Sequence, residues 1–388
     1  MKVPIARTSL TLQEKQSVLE PLHSGWLVQG PKVKNFEEQW SAFTKADHSI
    51  AVTSCTSALH LSLAALEFGP EDEAIVPAFT WVSTANVIEH LGGKVVFCDI
   101  KLDTFNIDIE LVESKITEKT KVILPVHLFG LSVDMVSIVK LAKKYNLLIV
   151  EDAACGFGSM YHGNHVGTFG NAGCFSFHPR KAITTGEGGM VTTNDATLAE
   201  KIRRLRDHGA AMTDLQRHNG ARPYLLADHP VAGYNQRMTD LQGSLGSAQM
   251  DRADDIVFER RRIAQKYDNA FENLDWLKTP LNKIGYEHGY QSYACLFEPE
   301  VINENSVSRI NVMRNAWMDK LQKDGVSTRP ATHAVHMLSY YKEKYGIKPV
   351  GFPNAYAADQ CSISLPLFHG MKEDEQNFVI DKVLEFEL

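Results

Sequence analysis

A chain of 388 residues, 44% hydrophobic and 22% charged, can bury a substantial interior but is too long for one small core, so a large domain with a smaller companion is expected. Its formal net charge of -7, without long runs of one sign, excludes a binder of the nucleic-acid backbone, which needs clustered Lys and Arg. The six cysteines, at positions 55, 98, 155, 174, 295 and 361, form no CxxC pair. That sets aside a zinc site and a disulfide framework and suits reduced thiols.

The opening stretch "MKVPIARTSLTLQEKQSVLE" lacks the apolar centre of a signal peptide. No run approaches the roughly 18 apolar residues that cross a bilayer, so a cytoplasmic protein without a membrane partner is expected. From residue 50 to 151, short apolar runs ("SIAVTS", "EAIVPAF", "KVVFCDI", "KVILPVHLF", "LLIVEDAA") alternate with amphipathic stretches ("TSALHLSLAALEF", "STANVIEHLGG", "VDMVSIVKLAKKYN"). This is the pattern of a mostly parallel sheet sandwiched by helices, an α/β domain. Ligands of such sheets collect beyond the strands' carboxyl ends, which draws attention to Ser54 to Ala58, Phe79 to Trp81, His127 and Asp152 to Cys155. "DRADDIVFERRRIAQKYDNAFENL", from Asp251 to about Leu274, reads as one long helix, after which the alternation stops. The expected division is a large domain over 1–250, N-terminal arm included, and a smaller C-terminal α+β domain over 251–388.

Asp152 closes an apolar strand, and Lys181 follows 29 residues later, ahead of "TTGEGG". Alone, the first is usually a strand-end cap and the second a solvated charge. Together they fit pyridoxal phosphate, which needs an amine to hold it and a buried carboxylate to keep its ring nitrogen protonated. Burial and the neighbouring Arg180 would favour a neutral Lys181 amine. Ser54, Thr56 and Ser57 open an apolar-periodic helix, where a phosphate is favoured, although a plain N-cap reads the same way. Trp81 follows a strand and could stack on a ring, or serve as core.

The run "EDAACGFGSMYHGNHVGTFGNAGCFSFHPRKAITTGEGG" resembles the signature of the DegT/DnrJ/EryC1/StrS family of nucleotide-sugar aminotransferases, which have the fold of aspartate aminotransferase, fold type I. The likeness extends through "GWLVQGPKVKNFEEQW", "TSCTSALHLSLAAL", "VPAFTWVSTANVI", "PVHLFG", "GYNQRMTDLQGSLGSAQM" and "SISLPLFHGM", nearly the whole chain. The resemblance implies that Lys181 forms the Schiff base and Asp152 partners the pyridine nitrogen. Ser176 would bind the phosphate beside Thr56 and Ser57, and Trp81 would stack on the ring. Asn235 would reach the phosphate of a neighbouring subunit, making a homodimer with shared sites. Trp26, His178, Thr185 and Glu187 would border the sugar nucleotide, and Arg237, Arg329, His333 and His336 would meet its pyrophosphate, although for these four a surface or interface role reads equally well. At Cys155 the family commonly has Gln or His against the cofactor's phenolic oxygen, and Phe157 replaces a frequent His. A thiol is a weak donor, which bears on the pH optimum.

The implied reaction is ping-pong. L-glutamate leaves as 2-oxoglutarate with the cofactor as pyridoxamine phosphate, and the amine then passes to a nucleotide-linked 4-keto-6-deoxy sugar at C4. Amination at C3 and a non-catalytic, regulatory relative are the alternatives. A C3-deoxygenating relative would carry His in place of Lys181, and a Rossmann oxidoreductase would show GxGxxG after its first strand, where this chain has "TSCTSA".

Overall fold

The computed structural model describes residues 1–387. Its centre is a seven-stranded sheet in the spatial order His48–Val52, Gly189–Thr193, Ala172–Ser176, Leu148–Asp152, Thr120–Ile123, Glu73–Pro77, Lys94–Cys98. The strands are short and buried nearly throughout, as "IAV", "AIV" and "LIV" require when both faces are covered. Helices Cys55–Ala65, Ser83–His90 and Met135–Tyr145 supply that cover. The Cys55 helix is apolar nearly all round, with Ala58, Leu59, Leu61 and Leu63 fully buried, and its place is interior.

Gly189–Thr193 alone runs against the other six, pairing antiparallel with both neighbours. Its first residue therefore lies where the other strands end: Gly189 is opposite Val52 on one side and Ser176 on the other. The loop from Phe177 to Gly188 is thus a hairpin connection held over the carboxyl mouth of the sheet.

Beyond helix Ala253–Phe271 lies a three-stranded antiparallel sheet of Leu277–Lys278, Tyr293–Phe297 and Ser362–Leu365. Trp317, on helix Val307–Asp324, packs against Trp276, Phe297 and Phe386 there. The N-terminal arm departs from the expected division, because backbone bonds join Val3 to Gly325 and Ser327 at 2.8 and 2.9 Å. Its first residues thus lie along the C-terminal part. His333–Ala334 likewise crosses over to pair with Phe79–Thr80. Among the described residues no helix is long and apolar enough to cross a membrane, and no group of three or more His, Cys, Asp or Glu could hold a metal.

Candidate active site

Adjacent residues of a strand point to opposite faces, and Glu151 and Asp152 are separated this way. Glu151 is fully buried and accepts from the amides of Gly167, Phe169 and Gly170 at 2.7–2.8 Å. His127 completes this nest at 2.9 Å. Because the Val133 amide donates to His127 Nδ1, the imidazole proton sits on Nε2 and points to Glu151. Asp152 is buried on the opposite face, where Thr84 donates to Oδ2 at 2.7 Å and the Ala154 amide to Oδ1 at 3.1 Å. Burial raises its pKa. The Thr84 hydroxyl, the Ala154 amide and the charges of Lys181 and His127 oppose that rise, in that order.

Lys181 sits in the hairpin above. The loop is pinned at several points: Phe177 and Gly188 share a backbone bond of 2.9 Å, Thr185 donates to the Phe177 carbonyl at 3.0 Å, and the Gln249 side chain clamps both backbone groups of Thr184. Gly186 takes φ +82°, which favours glycine, at the tip of the turn. So the lysine rides on a fixed frame. Its Nζ lies 3.2 Å from Cys155 Sγ.

Ser54 caps helix Cys55–Ala65, its hydroxyl accepting from the Ser57 amide at 3.1 Å. Further hydroxyl contacts join Thr53 to Ser57 at 2.8 Å and Thr56 to Ser83 at 3.0 Å. The helix start packs directly on Gly189, where a Cβ would come within 2.4 Å of the Ser54 carbonyl. Cys55, the first residue of the helix, places its thiol 4.0 Å from Asp152 Oδ1. Burial foremost, then the charge of Asp152, pushes the Cys55 pKa well up and keeps it a thiol.

Strand ends and hairpin thus bring Asp152, Lys181, Cys155, Ser176, Thr56 and Ser57 to one mouth. His178 borders it, half-buried, with burial lowering its pKa and the charges of Arg180, Lys181 and Arg329 adding to that against Glu187. Thr185 is buried and bonded to the Glu187 carbonyl at 2.7 Å, while the Glu187 side chain is exposed. Trp81 is 55% exposed, with its ring tilted against His333 at 5.8 Å. Arg237 pairs with Asp207 and, through its backbone, with Val52 at the edge of the mouth. Asn235 is exposed, with its backbone bridged to Asp207. Trp26 packs edge-on against His218, 5.2 Å away, in the outer loops.

His336 is a correction to the sequence reading. It is fully buried beside Phe352 and Phe97, at 4.8 and 6.4 Å, so it is a core residue and no pyrophosphate reaches it. Phe157 stacks on Phe43 in the aromatic core, which accounts for an apolar residue at that position. The sequence reading assigned no role to Thr84 or Cys55, whose side chains contact the Asp152 carboxylate. Their only signal was a hydroxyl or thiol in the first turn of a helix that follows a strand.

The profile of the DegT/DnrJ/EryC1/StrS aminotransferase family matches residues 9–384. The spore coat polysaccharide biosynthesis protein SpsC of Bacillus subtilis is 38% identical over 385 residues, 98% of this chain and 96% of that one. Among solved structures, Spr1654 of Streptococcus pneumoniae in its PLP-form aligns with a TM-score of 0.88 and 30% identity, covering 98% of this chain and 97% of that one. PseC of Helicobacter pylori, an aminotransferase involved in the biosynthesis of pseudoaminic acid, aligns with a TM-score of 0.89 and 29% identity over 99% of both chains. A match across nearly the whole chain, added to a lysine and a buried carboxylate at one sheet mouth, places this protein in the DegT/DnrJ/EryC1/StrS aminotransferase family.

Proposed function

We propose that the protein is a pyridoxal phosphate-dependent aminotransferase that moves an amino group from L-glutamate to C4 of a nucleotide-linked 4-keto-6-deoxy sugar, for the synthesis of an amino-sugar glycan. The observation that carries this reading is the pairing of buried Asp152 with Lys181 across one strand mouth. The PLP-form and PMP-form of Spr1654 and the polysaccharide role of SpsC support the cofactor and the sugar context.

The residues suit this cofactor. A buried carboxylate with a raised pKa and no cation in hydrogen-bond contact is costly unless a cationic group lies against it, and a protonated ring nitrogen is such a group. The close approach of Gly189 to Ser54 seats the start of helix Cys55–Ala65, with the hydroxyls of Thr56 and Ser57, on the strand end that pairs with Ser176. Bound there, pyridoxal phosphate supplies an electron-withdrawing ring that acidifies the Cα–H of an attached amine. Asp152 would hold the proton on the ring nitrogen, oriented by Thr84 and the Ala154 amide. The start of helix Cys55–Ala65 would bind the phosphate through its amides and the Thr56 and Ser57 hydroxyls. Lys181 would hold the cofactor at rest and, once released by the incoming amine, would move the Cα proton as a general base. Cys155, in contact with the Lys181 amine, would keep that amine over the site while it is released from the cofactor. Trp81 would cover the outer face of the ring.

The same reading makes the enzyme a homodimer. Exposed Asn235 is free to reach the partner's phosphate. The test is incubation with L-glutamate and UDP-, dTDP- or GDP-linked 4-keto-6-deoxy sugars, reading products by mass and the aminated carbon by NMR. An amine at C4 with matching 2-oxoglutarate supports the proposal. An amine at C3 assigns the enzyme to the other regiochemistry, and no turnover with any donor or sugar contradicts an enzymatic role.

A further inference from the structure

Lys181 and Cys155 face each other from two separately fixed turns. The Lys181 amide is bonded to the His178 carbonyl at 2.8 Å, and the turn that carries Cys155 is closed by the Gly156 amide on the Ala153 carbonyl at 2.7 Å. Between these turns Nζ and Sγ stand 3.2 Å apart, and among the described residues neither atom has another hydrogen-bond partner. Cys155 is partly accessible, whereas Cys98, Cys174, Cys295 and Cys361 are buried. Burial and the charge of Asp152 keep Cys55 a thiol. Around Cys155 the surroundings are cationic instead: Lys181 touches it, and Arg260 and Arg329 lie near enough to feel a charge on its sulfur. A partly exposed sulfur among cations is the setting in which a cysteine reacts with oxidants. An amine in contact with that sulfur is a trap for the product.

The geometry points to a modification site: hydrogen peroxide, acting on Cys155, ties its sulfur to the Lys181 nitrogen in a reversible sulfenamide that bars the cofactor from that lysine. The bar on the cofactor rests on the reading of Lys181 as the cofactor lysine; the link itself does not. In the first step the Cys155 sulfur attacks one oxygen of the peroxide, the S–O bond forms, the O–O bond breaks, and the other oxygen leaves as water with the thiol proton. Sulfur is oxidised by two electrons and the peroxide is reduced. In the second step the neutral Lys181 amine attacks the sulfenic sulfur, the N–S bond forms, the S–O bond breaks, and the hydroxyl leaves as water with an amine proton. One thiol, one amine and one peroxide thus give the link and two waters. The flexible four-carbon stem of lysine closes the remaining gap. A covalently held cofactor occupies the same nitrogen, so cofactor and link exclude each other. An added thiol reverses the link by attacking the sulfur, with the amine as leaving group.

The experiment treats the full-length protein, cofactor-free and loaded with pyridoxal phosphate, with hydrogen peroxide and maps its peptides by tandem mass spectrometry before and after dithiothreitol. Expected in the cofactor-free wild type is a peptide pair joined from Cys155 to Lys181, two hydrogens lighter than its components and released by dithiothreitol. Pyridoxal phosphate uptake, read by absorbance, should fall at least severalfold with the link and return on its release, and loading first should suppress the link. In Lys181→Arg the same cysteine should accumulate oxygen as sulfinic acid instead, and whatever cofactor Cys155→Ser takes up should be insensitive to peroxide. The mapping of wild type decides even where a variant fails to fold. A Cys155 that becomes sulfinic acid beside an unmodified Lys181, that pairs with another cysteine, or that stays a thiol while peroxide oxidises the methionines overturns the proposal, as does a link formed equally in the loaded protein. A wild type that takes up no cofactor before any peroxide is added contradicts the reading of Lys181 instead, and the mapped link is judged apart from it.

Discussion

Glu151 and Asp152 are consecutive, both buried, and oppositely provisioned: the first is surrounded by three backbone amides and an imidazole N–H, the second by one amide, one hydroxyl and a distant thiol. Saturation marks a structural carboxylate. Incomplete provision marks one that awaits a partner, and the account of the site follows from that difference.

Glu151→Gln replaces one of two acceptor oxygens with an NH2 group facing two of the four donors. It is expected to lower stability by about 2–4 kcal/mol while leaving the folded fraction able to load cofactor. Urea unfolding alongside cofactor absorbance checks this. Loss of loading without loss of stability would assign Glu151 to the site.

Asp152→Asn should behave in the opposite way. A carboxyl whose folded pKa is raised holds its proton more tightly when folded, so the native state loses stability as pH climbs through the ordinary carboxylate range toward the folded pKa. Cofactor-free Asp152→Asn is therefore expected to melt above cofactor-free wild type at pH 7, with the gap closing below that range. Loaded with cofactor, wild type should gain more than the variant. Thermal melts against pH read both effects.

Gly189→Ala drives a methyl to within 2.4 Å of the Ser54 carbonyl and 2.7 Å of the Cys55 amide, both backbone groups that yield poorly. The expected cost is about 1–3 kcal/mol, together with weaker retention of cofactor on dialysis. Unchanged retention would place the phosphate elsewhere than the Cys55 helix.

Cys155 and Cys55 are the two partly accessible cysteines, the other four being buried. Since Cys155 meets the Lys181 amine, alkylation mapped by mass should mark Cys155 in the cofactor-free protein and fall at least severalfold on loading. Equal labelling in both states would remove Cys155 from the cofactor's surroundings.

Much of this site was legible because apolar runs name strands and strands end at a mouth: "LLIV" announced Asp152, and "TSCTSALHL" announced the helix start. The reversed direction of Gly189–Thr193 was not legible, since an apolar run reads alike in either direction and only tertiary pairing decides it. His336 misled because a histidine near Arg329 reads as polar, while its helical turn carries it beneath Phe352. The N-terminal arm misled because nearness in sequence was taken for nearness in space, and Val3 lies beside Val326. Thr84 was passed over because hydroxyls at helix starts are commonplace caps.

The most direct measurement is peptide mapping of the cofactor-loaded protein after borohydride reduction, which fixes the cofactor to whichever amine holds it. The account predicts one cofactor mass per chain on the peptide containing Lys181, and none in Lys181→Ala. The label on another lysine, or a Lys181→Ala variant still covalently marked, would contradict it.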